Sequence, residues 1–269
     1  SGELDLKSKL NGGLTMRLDA DLSPNSGGGD SAELEQAFLG WSINKELMLK
    51  AGVFNNNLSL EKEDAPDLYQ ITHSQLWDIW NSSTDESGNN LQGVELSYKQ
   101  ADFTVFLGFL NDLGGVSEEN SVKLGVEVGA VKNMKITAGL ITQDVGGSGV
   151  ENIVDVNALW TLNDKLTLGG ELMLPSEIID NGLLLMANYQ MSKKLSGTLR
   201  YDMVSYDATG ADDTTSFTIA GLYAIENNLF ANAEIRMNSD DNGPPNAAQV
   251  LGIGEGDGTT VHLEMIATF

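Results

Sequence analysis

The sequence predicts an all-β fold: a closed antiparallel transmembrane β-barrel of about fourteen strands, connected as an up-and-down meander. Three observations predict it. Apolar and polar residues alternate with a period of two along segments of about ten residues, the length of a strand that crosses a bilayer at a tilt. Short turns alternate with long connections, as in a barrel with short periplasmic turns and long outer loops. No run approaches the roughly 18 apolar residues that a transmembrane helix needs.

The strands follow one another along the chain. The first segment keeps one parity from Leu4 to Leu22, which predicts one long strand, although Asn11-Gly12-Gly13 could form a turn. The last segment, 261–269, has apolar residues at odd positions and ends on an aromatic residue, as the closing strand of an outer-membrane barrel does. Six predicted hairpins lie between them: 37–43 with 47–53, 94–98 with 103–109, 122–130 with 136–140, 154–162 with 166–174, 183–191 with 195–203, and 217–225 with 229–237. We therefore predict a single domain, 1–269, with 55–90 as a long loop. A soluble all-β fold would also bury alternate faces, but it would not explain the alternation of short and long turns.

The composition of the chain argues against several classes of function. The 269 residues include 15 Lys and Arg against 39 Asp and Glu, for a formal net charge of -24. Nucleic acid is an improbable partner for such a chain, because phosphate contacts need a basic surface. Cysteine is absent, so disulfides and thiolate metal sites are excluded. The first residues carry no apolar signal core, and we expect that any signal peptide has already been removed.

The short turns and the long connections carry opposite charges. Six lysines lie in the short turns: Lys45, Lys99, Lys132, Lys165, Lys193 and Lys194. The long connections are acidic at 61–67, 118–119, 207–213 and 240–241. Facing outward, these acidic loops would meet lipopolysaccharide and its bridging cations, or they could simply be solvated and bind nothing. The outward face is expected to carry an interfacial aromatic girdle: Trp41, Tyr98, Trp160, Tyr189 and Tyr223.

Two neighbouring strands resemble the opening of a known porin group. Residues 35–41 read EQAFLGW and residues 47–54 read LMLKAGVF. This is similar to bacterial outer-membrane porins of the OprO/OprP and OmpL-like group, in which an "ArlG" strand turns into a "lkvGqf" strand before a long loop. The resemblance implies an integral outer-membrane porin for passive diffusion of small hydrophilic solutes or ions. The chain departs from the group at Asn55-Asn56-Asn57, which replaces a segment containing proline, and it lacks the basic anion-selecting loops. Phosphate selectivity is therefore not implied.

Inward-facing charges are the candidates for pore selectivity. All three arginines of the chain are expected to point inward at similar height, on the first, eleventh and thirteenth strands, with His262 on the fourteenth: Arg17, Arg200 and Arg236. Four carboxylates are expected on the opposite wall: Glu95, Glu127, Asp155 and Glu171. Such walls would produce a transverse field, and rings of charge set selectivity in a pore. Alternatively, nearby carboxylates neutralise the arginines in local ion pairs: Glu264, Glu234, Asp202 and Asp19. Because lumenal acid exceeds base in either case, we predict a preference for cations or neutral solutes.

The long loop 55–90 is predicted to constrict the pore. A polar surface loop is not expected to carry the aromatic side chains Tyr69, Trp77 and Trp80. We expect the loop to fold into the lumen and to pack on inward-facing Phe38, Phe54 and Phe106. The alternative is that it covers the rim or contacts a neighbouring subunit.

The sequence does not support an enzyme, a cofactor or a metal site. His73 and His262 are the two histidines, and neither lies in a nucleophile or metal motif. Hydrogen bonding of His262 in the lumen wall is favoured over a general-base pair with Glu264. The expected partners are the lipid bilayer, lipopolysaccharide and small solutes, and the chain would act as a monomer or a trimer. Two other functions stay open: a structural or adhesin barrel, and a transporter of hydrophobic molecules that uses inward apolar residues such as Leu110 and Ile141.

Overall fold

A computed structural model describes residues 2–23, 31–83, 89–111, 113, 120–142, 152–176, 179–207, 213–239 and 257–268. Fifteen strands form one antiparallel sheet in which each strand pairs with its neighbours along the chain. The strands are β1 (Gly2–Lys9), β2 (Leu14–Ser23), β3 (Ser31–Ser42), β4 (Leu47–Asn55), β5 (Asn90–Lys99), β6 (Phe103–Leu110), β7 (Ser121–Val128), β8 (Met134–Thr142), β9 (Asn152–Asn163), β10 (Leu166–Pro175), β11 (Ile179–Gln190), β12 (Leu195–Tyr206), β13 (Thr214–Glu226), β14 (Leu229–Ser239) and β15 (Gly258–Ala267). One helix, α1 (Gln75–Ser82), lies between β4 and β5. The predicted all-β meander is confirmed, and about fourteen strands is close to the fifteen observed.

The prediction of one long first strand is wrong. A 3-10 turn at Asn11–Gly13 separates β1 from β2, and Leu6 lies opposite Leu18. Gly12 and Gly13 have φ values of 73° and 78°, in the left-handed region that glycine adopts without penalty. Opposite residues of an antiparallel pair point to the same face, and here even positions oppose even positions. The alternation therefore continues unbroken through the turn and conceals it.

The first and last strands form the two edges of the described sheet. Because neighbouring strands alternate in direction and the strand number is odd, β1 and β15 run in the same direction. The register of the described residues contains no pairing between them. Leu263 of β15 is accordingly 82% exposed, whereas Leu185 on the interior strand β11 is 53% exposed.

The two faces of the sheet have opposite character. On β14, the apolar side chains of Ile235 and Met237 are exposed, while the charged side chains of Glu234 and Arg236 between them are buried. The same alternation runs through the other interior strands, so the exposed face suits lipid and the buried face is polar. All five predicted girdle aromatics lie on the outward face near short-turn ends: Trp41, Tyr98, Tyr189 and Tyr223 are exposed, and Trp160 is half-buried. No helix in the described ranges is long and apolar enough to cross a membrane.

One connection departs from the predicted alternation of turn lengths. Only three residues, 176–178, join β10 to β11 at the end of the sheet where the other connections are long. The acidic connections 118–119, 208–212 and 240–241, and the terminal Phe269, lie outside the described residues.

Candidate functional site

The connection between β4 and β5 folds back over the polar face of the sheet. We call residues 56–83 the inner segment. It leaves β4 at Asn56, whose side-chain oxygen accepts a hydrogen bond from the Leu58 amide at 3.2 Å. Asparagine side chains favour such local turns, and this one lies where the chain leaves β4 for the inner segment. Further on, the Ser74 hydroxyl caps α1 by accepting from the Trp77 amide at 3.3 Å, and α1 contacts β11 and β12.

An apolar core joins the inner segment to the wall. From the inner segment it contains Leu58, Leu76, Ile79 and Trp80, all 0–1% exposed. From the strands and their ends it contains Phe54, Leu91, Leu110, Leu113, Ile141, Ile153, Met173, Ile179, Leu184, Met186, Val204 and Tyr206. Glycines make the close approach possible, because a Cβ on Gly139 would lie 2.4 Å from Leu58. The core of this protein therefore lies between the inner segment and the inward face, not between two layers of sheet.

Two of the predicted arginines bind the backbone of the inner segment. The Arg200 guanidinium donates to the carbonyl oxygens of Thr72 at 2.5 Å and His73 at 3.0 Å. Arg236 donates to the same His73 carbonyl at 3.1 Å. In the register both arginines lie opposite Thr218 of the strand between them, so they reach one point of the inner segment from β12 and β14. They hold a peptide segment instead of facing open solvent.

Carboxylates complete this attachment. Glu61 of the inner segment pairs with Arg200 at 2.9 Å, and Asp202 on the wall pairs with it at 3.0 Å. Glu234 accepts hydrogen bonds from the amides of Ile71 at 2.7 Å and Thr72 at 3.1 Å. Burial opposes ionisation of Glu61, but Arg200, His73 and the Ser74 amide outweigh it and lower the pKa of Glu61. The contacts thus combine ion pairs with charge-assisted hydrogen bonds, the stronger class of hydrogen bond.

Arg17 lies apart from the other two arginines, on β2. It pairs closely with Asp19 and lies 3.8 Å from Asp5 and 3.9 Å from Asp64 of the inner segment. Carboxylate oxygens of Glu3, Asp5 and Asp19 lie within 4.8 Å of one another, an arrangement that could also hold a cation. The Arg17 guanidinium already offsets part of their charge.

Two of the four carboxylates of the predicted acidic wall are paired with lysines. Glu95 lies between two lysines, 3.0 Å from Lys50 and 2.8 Å from Lys123. Glu127 pairs with Lys135 at 3.0 Å in a half-exposed position. Sequence reasoning missed Lys50 and Lys123, although both occupy the inward parity of their strands and that signal was available. Asp155 and Glu171 are buried and have no such cation beside them among the described residues.

The remaining predicted residues of the last strand make local contacts. His262 shares a hydrogen bond with the Thr260 hydroxyl at 3.0 Å. Glu264 accepts from the Asn232 amide of β14 at 3.0 Å. In the register His262 lies directly opposite Glu234 and diagonally from Arg236. Because β1 and β15 do not pair in the described register, His262 does not lie between two arginines.

The three aromatic residues predicted to constrict the pore make different contacts. Trp80 is 1% exposed and belongs to the apolar core. Trp77 stacks on His73 with ring centroids 3.8 Å apart, and burial lowers the pKa of His73 despite the nearby Glu61 carboxylate. The carbonyl of Tyr69 accepts from the Thr198 hydroxyl of β12, and burial raises the pKa of the Tyr69 phenol. All three lie on the inner segment and none is fully open to solvent.

A group of carboxylates surrounds the middle of the inner segment. Burial and repulsion from Glu35 and Asp64 raise the pKa of Glu63 to about 9. Burial also raises the pKa of Asp64, although Arg17 opposes the change. Glu3 on β1 contributes to the same repulsion on Glu63. Acidic side chains therefore cluster where the inner segment faces β1 to β3, and their burial and mutual repulsion favour protonation.

Comparison with known proteins identifies the fold. The sequence profile of the family described as beta-barrel porin-2, OmpL-like, matches residues 7–269. The chain belongs to this family of OmpL-like β-barrel porins. It is an integral protein of the bacterial outer membrane with a porin channel fold, as the sequence predicted. None of the curated proteins matches this porin significantly.

Solved porins share the architecture at low sequence identity. A variant of the Rhodopseudomonas blastica porin has a TM-score of 0.63 and 14% identity, over 99% of this chain and 89% of that chain. A second variant of that porin has a TM-score of 0.64 and 15% identity over the same shares. A structure described as "Asymmetric conductivity of engineered proteins" has a TM-score of 0.65 and 14% identity, with 99% and 89% covered. Likeness at this level shows the fold alone.

Proposed function

We propose that this porin is a passive diffusion channel whose lumen is narrowed by the inner segment and which prefers cations over anions. Small neutral hydrophilic solutes would pass as well. The observation that carries the proposal is the group of acidic side chains around Glu63 and Asp64, which face Glu3 and Glu35 of the wall. Because the pKa of Glu63 is raised to about 9 and the pKa of Asp64 is also raised, this group gains negative charge as the pH rises. Carboxylates that line a constriction favour cations and repel anions.

The charge balance supports the cation preference. Arg200 and Arg236, which would otherwise attract anions, are directed at the His73 carbonyl and at neighbouring side chains. Lys123 is 0% exposed and bound to Glu95. These three basic side chains are thus used inside the protein, whereas Glu63 and Asp64 are half-buried and the adjacent Lys62 is exposed.

The inner segment also accounts for the inward apolar residues. Leu110, Ile141, Met173, Leu184 and Met186 would line a path for hydrophobic molecules in an empty barrel, but they belong to the core that seats the inner segment. A hydrophobic transporter loses its main support, because these side chains already have apolar partners. A purely structural or adhesin barrel would need no carboxylate-lined space.

Reversal potentials across planar bilayers in a salt gradient test the selectivity. We expect a potential of the sign given by cation permeation, and clear anion selectivity would overturn the proposal.

Deleting residues 60–85 should raise single-channel conductance, because the inner segment then no longer occupies the lumen. Unchanged conductance after the deletion would place the segment outside the conduction path.

A further inference from the structure

A cavity of about 160 Å³ lies between the inner segment and the wall strands β8, β9 and β11. The inner segment contributes Lys62, Asp67 and Gln70 to its lining, and the wall contributes Lys135 and Met186, among others. An apolar cavity of about 150 Å³ accepts benzene, so this space has room for a small organic molecule.

The charged residues around the cavity include one unpaired cation and one unpaired anion. Two of the four charged lining residues, Glu61 and Lys135, form ion pairs at 2.9 Å and 3.0 Å. The other two, Lys62 and Asp67, are exposed, and neither forms an ion pair within 4.0 Å among the described residues. The cavity therefore presents one positive and one negative group that are both available to a ligand.

The surroundings of Lys62 favour an additional anion. Although this side chain reaches solvent, partial burial and repulsion from Lys135 lower the pKa of Lys62, and Glu127 and Asp67 oppose the change. Asp67 is thus near enough to attract Lys62 but does not form a contact ion pair with it. An anionic group close to Lys62 and Lys135 would offset their mutual repulsion.

The remaining lining residues suit a molecule with an apolar part and hydrogen-bonding ends. Leu68 and Met186 are 7% and 6% exposed, and Leu159 is half-buried. The Ser59 hydroxyl and Oε1 of Gln70 are buried without a hydrogen-bond partner among the described residues. Buried polar groups are normally hydrogen-bonded, so the capacity of these two is unused in the protein itself.

We propose that this cavity binds a small zwitterionic solute with an apolar side chain, of the class of the aliphatic α-amino acids. The proposal rests on the passive channel proposed above, because the solute reaches the cavity through the lumen. A zwitterion has an opposite charge for Lys62 and another for Asp67, whereas a simple anion or cation would leave one of them unpaired. Its carboxylate would bind Lys62 and its ammonium group Asp67, by charge-assisted hydrogen bonds. Its side chain would pack against Leu159 and Met186.

The test measures binding of leucine to the full chain in detergent by saturation-transfer NMR, which detects weak ligands. Binding should be weak, because a channel must also release its solute. Isocaproate is leucine without the ammonium group, and leucinamide is leucine without the carboxylate. We expect each analogue to bind at least about 10-fold more weakly than leucine, because each loses a hydrogen bond between charged groups.

Variants of the two unpaired residues assign the contacts. Lys62→Met and Asp67→Asn should each weaken leucine binding by about 10-fold or more. Lys62→Met should also reduce the preference for leucine over leucinamide, and Asp67→Asn the preference over isocaproate. Lys132→Met and Asp102→Asn are the matched controls, because these exposed side chains lie in short turns outside the cavity, and both should bind leucine as the wild type does. Heat-modifiable migration on gels checks that every variant is folded.

The outcomes separate this site from the channel itself. Equal binding of leucine and both analogues would overturn the proposal, as would wild-type binding in both Lys62→Met and Asp67→Asn. Absence of leucine binding to a protein that gives steady ion steps in planar bilayers would overturn it as well and would leave the passive channel standing. Leucine binding with the expected preferences by a protein without ion steps would confirm the site and contradict the channel.

Discussion

Replacing Arg200 with methionine should release the inner segment from the wall. Arg200 is 1% exposed and forms ion pairs with Glu61 at 2.9 Å and Asp202 at 3.0 Å. It also donates to the carbonyls of Thr72 and His73. Methionine keeps most of the volume but leaves both carboxylates buried without their cation. Removing one member of a buried ion pair costs about 3–5 kcal/mol.

That loss would fall mainly on the attachment of the inner segment. At about 1.4 kcal/mol per tenfold, it lowers the ratio of attached to detached segment by roughly 10²–10⁴-fold. The strands should stay paired, because the β12 ladder uses backbone groups that the substitution leaves intact. We therefore expect a folded, heat-modifiable barrel with higher and noisier single-channel conductance in Arg200→Met, and faster proteolysis within residues 56–83.

The double variant Glu61→Gln with Arg200→Met provides the control. It removes Glu61, one of the two carboxylates that Arg200→Met leaves buried without a cation, so part of the attachment should return. A double-mutant cycle should give a coupling of about 0.5–3 kcal/mol for residues in direct contact. Wild-type conductance and wild-type proteolysis in Arg200→Met would refute the idea that this cluster holds the inner segment.

Three further predictions concern the inner segment and its seat. Because the pKa of Glu63 is raised to about 9, Glu63 is uncharged near neutral pH and ionises as the pH rises through that value. Cation selectivity from reversal potentials should therefore increase across this range, and Glu63→Gln should lose that increase. Trp80→Ala removes a side chain that is 1% exposed and should weaken attachment of the segment by about 3–5 kcal/mol, measured by proteolysis in urea. Gly139→Ala would place a Cβ 2.4 Å from Leu58 and should displace the start of the segment at a cost of about 1–3 kcal/mol, whereas Gly221→Ala, with no atom within 4 Å, should be neutral.

Each of these has a clear contrary result. A pH profile of selectivity that is identical in wild type and Glu63→Gln would show that Glu63 does not border the conduction path. Proteolysis of Trp80→Ala at the wild-type rate would mean that the apolar core does not hold the segment. Equal behaviour of Gly139→Ala and Gly221→Ala would contradict the close contact between Leu58 and the wall.

Strand positions and the faces of the sheet could be predicted because they depend on neighbouring residues. Side chains at successive positions of a strand point to opposite faces, so Ile235, Arg236 and Met237 reveal their orientation without knowledge of any partner. The hairpin at Asn11–Gly13 could not be predicted in this way, and the reason is the same alternation of side chains. Even positions oppose even positions across it, so the alternation alone cannot reveal the reversal.

The inward direction of Arg200 and Arg236 was predictable for the same local reason, and so was the pairing of Arg200 with nearby Asp202, but their partners in the inner segment were not. Arg200 meets Glu61, which lies 139 residues earlier in the chain. No periodic pattern specifies which residue of a long connection will meet a given strand. The contrast between Glu95, held by two lysines, and Glu171, which pairs with no lysine or arginine in the described ranges, likewise depends on which strands and which part of the inner segment lie together.

The sequence by itself determined that this porin is a sheet with one apolar and one polar face, and that the connection after β4 carries aromatic side chains unsuited to open water. Only the tertiary structure decided that this connection is bound to the polar face, which arginines bind it, and which carboxylates pair with a basic side chain. The physical reason is range: side-chain alternation is a property of adjacent residues, whereas charge pairing depends on three-dimensional proximity between residues far apart in the chain.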